Sequence, residues 1–471
     1  MALLHSATGW WIDEAGAPEP LPALRGFADA DFVVIGGGYL GMWSAWHLLE
    51  REPGADVALL EAGRCGHGPS GRNGGFVNGY WDHVPELAGS CGAARATALA
   101  READVSIRAI GDFCERQKID AWYRAVPQID ISTARAQDGS WREAVDGLRA
   151  LGHGEEYAEL TPAQVQRVCR SPLFRGAAIQ RTAATVQPAR LAFGLRAALL
   201  RRGVRIHEST EVASVEQKGA KGVLVRTRST DGGERGYVHA GAAVLAAGWR
   251  TLRWPGFGRE LSAASSHIAL TEPVPDVLEE LGWTGGEALE DCRTMLHYFR
   301  TTNDGRIAFG WGGGRMAYDA RPDARLELDI DVVDRAAAAL RRFFPQLADR
   351  AITHAWGGPI DVAPARLPVY RSRGALHAGW GFSGHGVGPS HLGGRILSGL
   401  ALGVRDELTT LPLVEPPFKA FPPEPARWLG GSLIRSALIR KDALDERGEP
   451  VGALTRGIAR LPRLLGMNLP R

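Results

Sequence analysis

Residues 31–61 read DFVVIGGGYLGMWSAWHLLEREPGADVALLE, and the architecture of the chain follows from this segment. Residues 32–35 form a short, apolar, β-branched run, which predicts a buried strand. A helix-length segment, residues 40–51, comes next, and a second apolar run at residues 57–60 predicts another strand. Parallel strands need a crossover of this length, so the order predicts a βαβ unit.

The turn between the first predicted strand and the helix has glycines at G-x-G-x-x-G spacing, namely Gly36, Gly38 and Gly41. In such a turn the first glycine permits the tight bend and the second lets a pyrophosphate approach the backbone. The third lets the helix pack close to the strand, while the helix N-terminus offers amide donors. Glu61 follows the second strand, twenty residues after Gly41, where a carboxylate can bind a ribose diol. These features predict a dinucleotide site; the alternative is a glycine-rich turn in an ordinary βαβ unit.

A long glycine-rich loop, GRCGHGPSGRNGG at residues 63–75, leaves the second strand where a nicotinamide dehydrogenase would usually enter its next helix. With DFVVIGGGYLG, LLEAG and SGRNGG, the chain resembles the D-amino-acid-oxidase-like superfamily of FAD-dependent oxidoreductases. Within it, the γ-glutamylputrescine oxidase and glycine–sarcosine oxidase branch is the most similar. Three later segments support the resemblance: VLAAGW at 244–249, WGGPIDVAPARLPV at 356–369, and GWGFSGHGVGPSHLGGRILSGLALG at 379–403.

The resemblance implies that FAD lies along three parts of the chain. The first glycine turn would hold the ADP half, the Ser70–Gly75 loop would pass the pyrophosphate and ring, and a second glycine loop would meet the pyrimidine end. The backbone of Val212 would meet the adenine. The predicted cofactor-binding residues are Gly36, Gly38, Tyr39, Leu40, Gly41, Glu61, Ala62, Ser70, Gly71, Arg72, Asn73, Gly74, Gly75, Val212, Ala247, Gly248, Gly384, His385, Gly386, Val387 and Gly388.

The fold class expected is α/β, with a Rossmann-like FAD-binding domain and an interleaved α+β substrate-binding domain built on a mixed sheet. We assign residues 31–80, 177–261 and 350–405 to the FAD-binding domain. Residues 81–176 and 262–349, where helical and alternating strand-like patterns appear, are assigned to the substrate-binding domain. Residues 1–30 form an N-terminal arm, and residues 406–471 a C-terminal helical strap on the cofactor domain. The basic, partly amphipathic tail leaves docking to an anionic membrane as an alternative.

Composition excludes several classes of function. The net charge of +2, with no long run of one sign, gives no reason to expect nucleic acid as a partner. The five cysteines are scattered and odd in number, which argues against a disulfide framework or a zinc site and fits a reducing cytoplasm. We therefore expect no metal. No apolar run approaches the roughly 18 residues of a transmembrane helix, and the N-terminus lacks a signal pattern.

The reaction that the resemblance implies needs few side chains, because the cofactor carries the redox step and the protein orients the substrate. Arg72 and Asn73 lie in the loop that would pass the flavin, and His385 lies where a positive charge would favour the reduced anion. Tyr298 and Arg300 alternate onto one face of a predicted strand and could clamp an amino acid. We take Arg72, Tyr298, Arg300 and His385 as catalytic candidates, each with an ordinary ion pair or packing role as the alternative. His267 and Trp311 are weaker candidates for the pocket wall.

The expected function is oxidation of the C–N bond of a small amine or amino acid, with hydride passing to the flavin and the imine then hydrolysed. Oxygen, a quinone or another protein would reoxidise the flavin. Relatives that tether FAD use a cysteine in the segment that here reads WGGPIDVAP, or a histidine just after the glycine loop, where Asn73 and Gly74 stand here. We therefore expect non-covalent FAD. The alternatives are an NAD(P)H-dependent flavoprotein reductase or hydroxylase, and a flavin-binding subunit of a larger complex.

Overall fold

The computed structural model describes residues 4–5, 8–219, 222–319, 321 and 323–467. Within these ranges the chain folds into two large sheets that share one cavity, with a small third sheet beside them. The fourteen helices of the described residues are α1 (Trp10–Ala15), α2 (Tyr39–Arg51), α3 (Pro69–Arg72), α4 (Val84–Cys91), α5 (Ala93–Gln117), α6 (Arg142–Ala150), α7 (Pro162–Val168), α8 (Pro188–Arg201), α9 (Pro275–Leu281), α10 (Ala324–Glu327), α11 (Ile330–Phe343), α12 (Val387–Ala401), α13 (Ala426–Arg447) and α14 (Ala453–Leu464).

The cofactor-side sheet is built around the βαβ unit that the sequence predicts. Its central strands run parallel, and a meander of antiparallel strands extends one edge. In spatial order the strands are β10 (Arg205–His207), β3 (Val57–Leu60), β2 (Gly26–Ile35), β13 (Arg235–Leu245), β12 (Val223–Ser229) and β11 (Thr210–Gln217); β20 (Leu376–Trp380) joins β13, and β19 (Val369–Arg373) pairs with β20.

Alternation along β2 explains how this sheet is covered. Val34 packs with α2, α8 and α12 in one core, whereas Val33 and Ile35 pack in a second core on the opposite face. All three side chains are buried, as expected for a central parallel strand. The strand begins at Gly26, inside the segment predicted to be an N-terminal arm.

The second large sheet forms the substrate side. Its nine strands, in spatial order, are β1 (Leu4–His5), β18 (Ile352–Val362), β14 (Ser262–Thr271), β17 (Ile307–Trp311), β16 (His297–Thr301), β15 (Ala288–Asp291), β6 (Gln128–Ile131), β8 (Ala177–Gln180) and β7 (Tyr157–Leu160). One face, with Leu289, Phe299 and Phe309, packs against α11. The other face carries Glu290 and Tyr298 and looks into the cavity.

Two of the sequence-based domain boundaries are corrected by this sheet. Residues 177–180 and 352–362, assigned to the cofactor domain, lie in the substrate-side sheet, because β8 pairs with β6 and β18 pairs with β14 over ten positions. The remaining strands, β4 (Phe76–Val77), β9 (Ala184–Thr185) and β5 (Arg124–Ala125), form the small third sheet. The chain thus crosses between the two layers more often than the hydrophobic pattern indicated.

The C-terminal helices lie at the mouth of the cavity, and α13 bridges the two layers. At its start Arg427 donates to the carbonyls of Gly258 and Leu261, and about two turns further on Arg435 donates to Gly313. Near its end Asp442 accepts the backbone N–H of Met295 at 2.8 Å. The strap expected on the cofactor domain alone therefore also holds the substrate-side sheet. Within the described ranges, no helix is both long and apolar enough to cross a membrane.

Candidate active site

One cavity of about 1350 Å³ runs between the two sheets. Glu61 and Val212 line one end, and the glycine turn before α2 lines the middle. The other end is enclosed by Tyr298 on the substrate-side sheet and by His385 in the second glycine loop. The cavity therefore brings together the residues that the sequence singled out from four separate segments.

Close packing around the first glycine turn leaves no room for side chains. Gly36 has φ of +110°, and a Cβ there would lie 2.3 Å from the carbonyl oxygen of Ala246. A Cβ on Gly41 would lie 1.9 Å from the carbonyl oxygen of Gly36. The turn thus exposes bare backbone at the N-terminus of α2, where amide donors and the helix dipole favour an anion.

Glu61 lies at the carboxyl end of β3 and is held by backbone donors. Its Oε2 accepts the N–H of Gly37 at 2.7 Å, and its Oε1 accepts the N–H of Gly63 at 2.7 Å. Burial raises the pKa of this carboxyl, and the two N–H groups oppose the rise. Each carboxylate oxygen keeps a second lone pair, so the group can still accept hydrogen bonds from hydroxyls in the cavity.

The loop of residues 63–75 is fixed to α2 and folded on itself. Ser70 Oγ accepts the backbone N–H of Tyr39 at 2.8 Å, and Tyr39 Oη donates to the carbonyl of Pro188 at 2.6 Å. Asn73 donates from Nδ2 to the carbonyl of Pro69 at 3.0 Å and accepts the N–H of Gly75 at Oδ1. The amide of Asn73, predicted to reach the flavin, is thus engaged in shaping the loop.

Arg72 lies in the wall of the cavity and is tied to the substrate-side sheet. Its Nη2 donates to the carbonyl of Gly357 at 2.5 Å, and its Nη1 is 4.0 Å from Oε1 of Glu327. Burial lowers the pKa of the guanidinium, and the charge of Glu327 raises it. Arg72 therefore joins the cofactor loop to β18 and carries positive charge at the cavity.

The second glycine loop begins a helix, as the sequence predicted. Asp361 on β18 accepts the N–H of Gly381 at 2.5 Å, and Gly384 has φ of +97° before α12 begins at Val387. Residues 384–387 line the cavity. The pKa of His385 is lowered by burial and by the positive charge of Arg366, so its imidazole is neutral at neutral pH. These surroundings favour the neutral loop histidine that the sequence analysis gave as the alternative for His385.

Tyr298 faces the cavity from β16 because its ring lies across a glycine of the next strand. A Cβ on Gly310 would be only 2.1 Å from Cζ of Tyr298. The Tyr298 hydroxyl and Ser266 Oγ are 2.7 Å apart, and Ser266 donates to the carbonyl of Trp311 at 3.1 Å. Since the serine has one proton, Tyr298 donates in this pair and keeps its lone pairs free. Burial raises the pKa of Tyr298 to about 12.

Arg300 shares a sheet face with Tyr298 but lies beyond the cavity, so the predicted clamp is not formed. Its guanidinium donates to the carbonyl of Val186 at 2.5 Å and to that of Gly75 at 3.2 Å, and lies over the ring of Trp11. Burial lowers its pKa to about 9. Arg300 therefore supports the end of the cofactor loop from below.

The two weaker candidates for the pocket wall lie on the opposite face of the sheet, and that prediction is corrected. His267 is fully buried against the helical side, where its Nε2 accepts the N–H of Asp329 at 3.0 Å. Trp311 packs in the same core as α11 and donates to the carbonyl of Met295. The alternation of side chains along β14 and β17 was predicted correctly. The sequence could not show which face of the sheet the helix α11 covers.

Arg366 and Glu290 are among the charged residues of the cavity that the sequence analysis missed. Arg366 follows β18 with φ of +58° and lines the cavity beside His385. Glu290 lies on β15 next to Tyr298 on β16, in the same cross-strand row. Two adjacent acids in the otherwise apolar strand ALED, residues 288–291, were the available signal for Glu290. For Arg366, between two prolines, the local sequence gave none.

The bare backbone turn, the acid after the second strand and the long continuous cavity define the class. This is a protein that binds an extended dinucleotide and holds a second molecule at its far end. Residues 31–400 match the family model described as FAD dependent oxidoreductase (DAO), and the chain belongs to that family. The predicted family, α/β fold class, FAD dependence and oxidoreductase class are confirmed. FAD fits the site, since the glycine turn and Glu61 line one continuous cavity and Glu61 can accept ribose hydroxyls.

Relatives support the same assignment. The chain is 31% identical over 439 residues to the probable oxidoreductase OrdL of Rhizobium meliloti (strain 1021), covering 90% of this chain and 94% of the relative. It is 29% identical to the γ-glutamylputrescine oxidoreductase of Escherichia coli (strain K12), covering 85% and 90%. The glycine oxidase structure from Geobacillus kaustophilus superposes with a TM-score of 0.67 at 18% identity, covering 83% of this chain and all of that one.

Proposed function

We propose that this chain oxidises the C–N bond of a small amine or amino acid, using non-covalently bound FAD, to an imine that water then hydrolyses. The observation that carries the proposal is the single cavity that joins Glu61 and the glycine turn to Tyr298 on the substrate-side sheet. The E. coli relative named for γ-glutamylputrescine and the glycine oxidase of similar fold point to the same substrate class.

The residues that would hold FAD follow from the geometry of the cavity. The backbone at Gly38, at the N-terminus of α2, would take the pyrophosphate, and Glu61 the ribose. Bound FAD supplies the two-electron acceptor of the reaction. Among the described residues no cysteine lines the cavity. Cys65, which is in the cofactor loop, lies behind Gly37. That placement supports non-covalent binding.

Tyr298 would orient the substrate amine. Its hydroxyl donates to Ser266 and remains protonated, so its free lone pairs can accept an N–H from a substrate in the cavity. A fixed acceptor for the substrate nitrogen selects one orientation of the neighbouring C–H bond, which is what this chemistry requires of the protein.

Three features would stabilise negative charge at the far end of the cofactor. The N-terminus of α12 lines the cavity at residues 386 and 387, and Arg366 and Arg72 add positive charge. His385, kept neutral, would contribute a hydrogen bond rather than a charge. We further propose that oxygen, a quinone or another protein accepts the electrons, and that the protein is cytoplasmic, which its five free cysteines suit.

Anaerobic mixing of the purified yellow protein with a panel of amines and amino acids tests the proposal, with loss of the visible flavin absorbance as readout. At least one amine should bleach the flavin without any added acceptor. Bleaching by NADH, with none by any amine, would contradict the proposal and favour a pyridine-nucleotide-dependent flavoprotein.

A further inference from the structure

Next to Tyr298, the substrate-side sheet presents a pair of carboxyl groups to the cavity. Asp130 on β6 and Glu290 on β15 are in-register partners on adjacent parallel strands, so their side chains lie on the same face. Burial raises the pKa of both carboxyls, and the charge of Asp130 raises that of Glu290 further, so that Glu290 keeps its proton beside Asp130. Of the two, Glu290 lines the cavity.

The surroundings of this pair are acidic. Burial raises the pKa of Glu290 well above its usual range. The negative charges of Asp130, Asp82 and Asp291 raise it further. Asp291 is balanced on the other face of the sheet by His297 and Arg293. Arg366 also lines the cavity, and the negative charge of Glu290 raises its pKa against the lowering by burial.

A second observation points to a ligand with N–H donors. Asn78 is 5% exposed and lines the cavity, and its Oδ1 is buried without a hydrogen-bond partner. Its Nδ2 donates to Gln128 at 3.1 Å, and Gln128 in turn donates to Asp130 at 3.1 Å. Tyr157 donates to the other oxygen of Asp130 at 2.6 Å. The network thus fixes Asp130 and leaves an orphaned acceptor, the Asn78 Oδ1, in the cavity that Glu290 also lines. A buried acceptor without a partner is costly unless a ligand satisfies it.

We propose that Glu290, Asp130 and the Asn78 amide oxygen form a subsite for a second, protonated amino group of the substrate. An alkylammonium group carries three N–H donors and one positive charge, which match these acceptors and this excess of acid. The substrate is then an amine with a cationic group at its other end, such as a diamine or an amine conjugate that keeps a free ammonium. This inference rests on the proposed amine oxidation and names its substrate class.

Binding of such a substrate should release a proton. Without it, the two carboxyls retain one proton between them because ionising both would place like charges in contact. An ammonium beside Glu290 favours the ionised form and lowers its pKa, so this proton leaves. The charged and titratable groups that act on the pair are Asp82, Arg366, Tyr157 and Cys292, together with Asp291 on the other face of the sheet.

The test compares 1,4-diaminobutane with 4-amino-1-butanol, its neutral counterpart, in anaerobic reduction of the holoenzyme flavin. Efficiency is measured as the rate constant of flavin reduction divided by the dissociation constant of the substrate. By this measure the diamine should be at least about tenfold more efficient than the amino alcohol. Glu290→Gln should bring the two substrates to within about threefold, through weaker diamine binding, while the amino alcohol is affected little. Glu159→Gln is the matched control, since Glu159 lies in the same cross-strand row but at the exposed edge of the sheet.

A second measurement keeps the test independent of turnover. The dithionite-reduced holoenzyme is titrated with 1,4-diaminobutane by calorimetry in two buffers of different ionisation enthalpy. Because the amine to be oxidised must itself lose a proton, both proteins release one on binding the diamine, and wild type should release up to about one proton more per diamine bound than Glu290→Gln. Equal reduction by both substrates, or a preference that survives Glu290→Gln, would overturn the subsite while leaving amine oxidation intact. No reduction by any amine would instead refute the proposed function.

Discussion

The carboxylate of Glu61 accepts the backbone N–H of Gly37 at 2.7 Å, so the acid that ends β3 is tied to the turn that begins α2. The two features that the sequence places 24 residues apart thus form one rigid cradle. The same carboxylate must also meet the ribose if FAD binds as proposed.

Replacing Glu61 should therefore weaken FAD binding. In Glu61→Ala the ribose loses its acceptor and the Gly37 and Gly63 N–H groups lose their partner, at a cost of roughly 2 kcal/mol or about thirtyfold in FAD affinity. Titrating the apoprotein with FAD and following flavin fluorescence measures this loss of affinity. Glu52→Ala, beyond the exposed end of α2, should leave the affinity unchanged.

Glycine is required at position 36 on steric grounds. Gly36→Ala would force a Cβ against the Ala246 carbonyl at a φ of +110°, and should cost roughly 3 kcal/mol of stability as well as cofactor affinity. Thermal unfolding of the wild-type and Gly36→Ala apoproteins measures the loss of stability. Gly54→Ala, where a Cβ would meet nothing within 4 Å, should change the unfolding free energy by less than about 0.5 kcal/mol. Equal melting temperatures for Gly36→Ala and wild type would contradict this packing.

Arg300 should behave as a support of the cofactor loop. Arg300→Lys keeps the charge but cannot reach the carbonyls of both Val186 and Gly75, so FAD affinity should fall by roughly 2 kcal/mol. The KM ratio between substrates with and without a carboxylate should not change. By contrast, Tyr298→Phe should leave FAD affinity intact and slow flavin reduction. If Arg300→Lys raised KM only for substrates with a carboxylate, this would contradict the supporting role and favour the predicted clamp of Tyr298 and Arg300 on an amino acid.

Acid should destabilise the protein through buried neutral histidines. Burial lowers the pKa of His267 to about 4 from its ordinary 6.5, so stability is full above pH 6.5 and is lost as pH falls towards 4. This histidine contributes on the order of 2 kcal/mol to that loss. Urea unfolding at about pH 7.5 and about pH 4.5 measures it. His267→Gln, which keeps an acceptor for the Asp329 N–H, should flatten the dependence, whereas His239→Gln at the surface should not.

The sequence predicted local features better than it predicted which strands share a sheet. Glycine spacing and strand runs are local, so the βαβ unit and the second glycine loop were found. Residues 352–362 were placed in the wrong layer because pairing with β14 is a long-range choice that hydrophobicity does not encode. The separation of Tyr298 from Arg300 depends on Gly310 and on Val186, which come from other parts of the chain.

FAD titration of the apoprotein, followed by acid precipitation of the reconstituted protein, is the sharpest test of non-covalent FAD binding. We expect one FAD bound per chain, much weaker binding of FMN, which lacks the half held by Glu61, and complete release of the flavin into the acid supernatant. Failure to bind FAD, equal affinity for FMN, or flavin that stays in the protein pellet would contradict it.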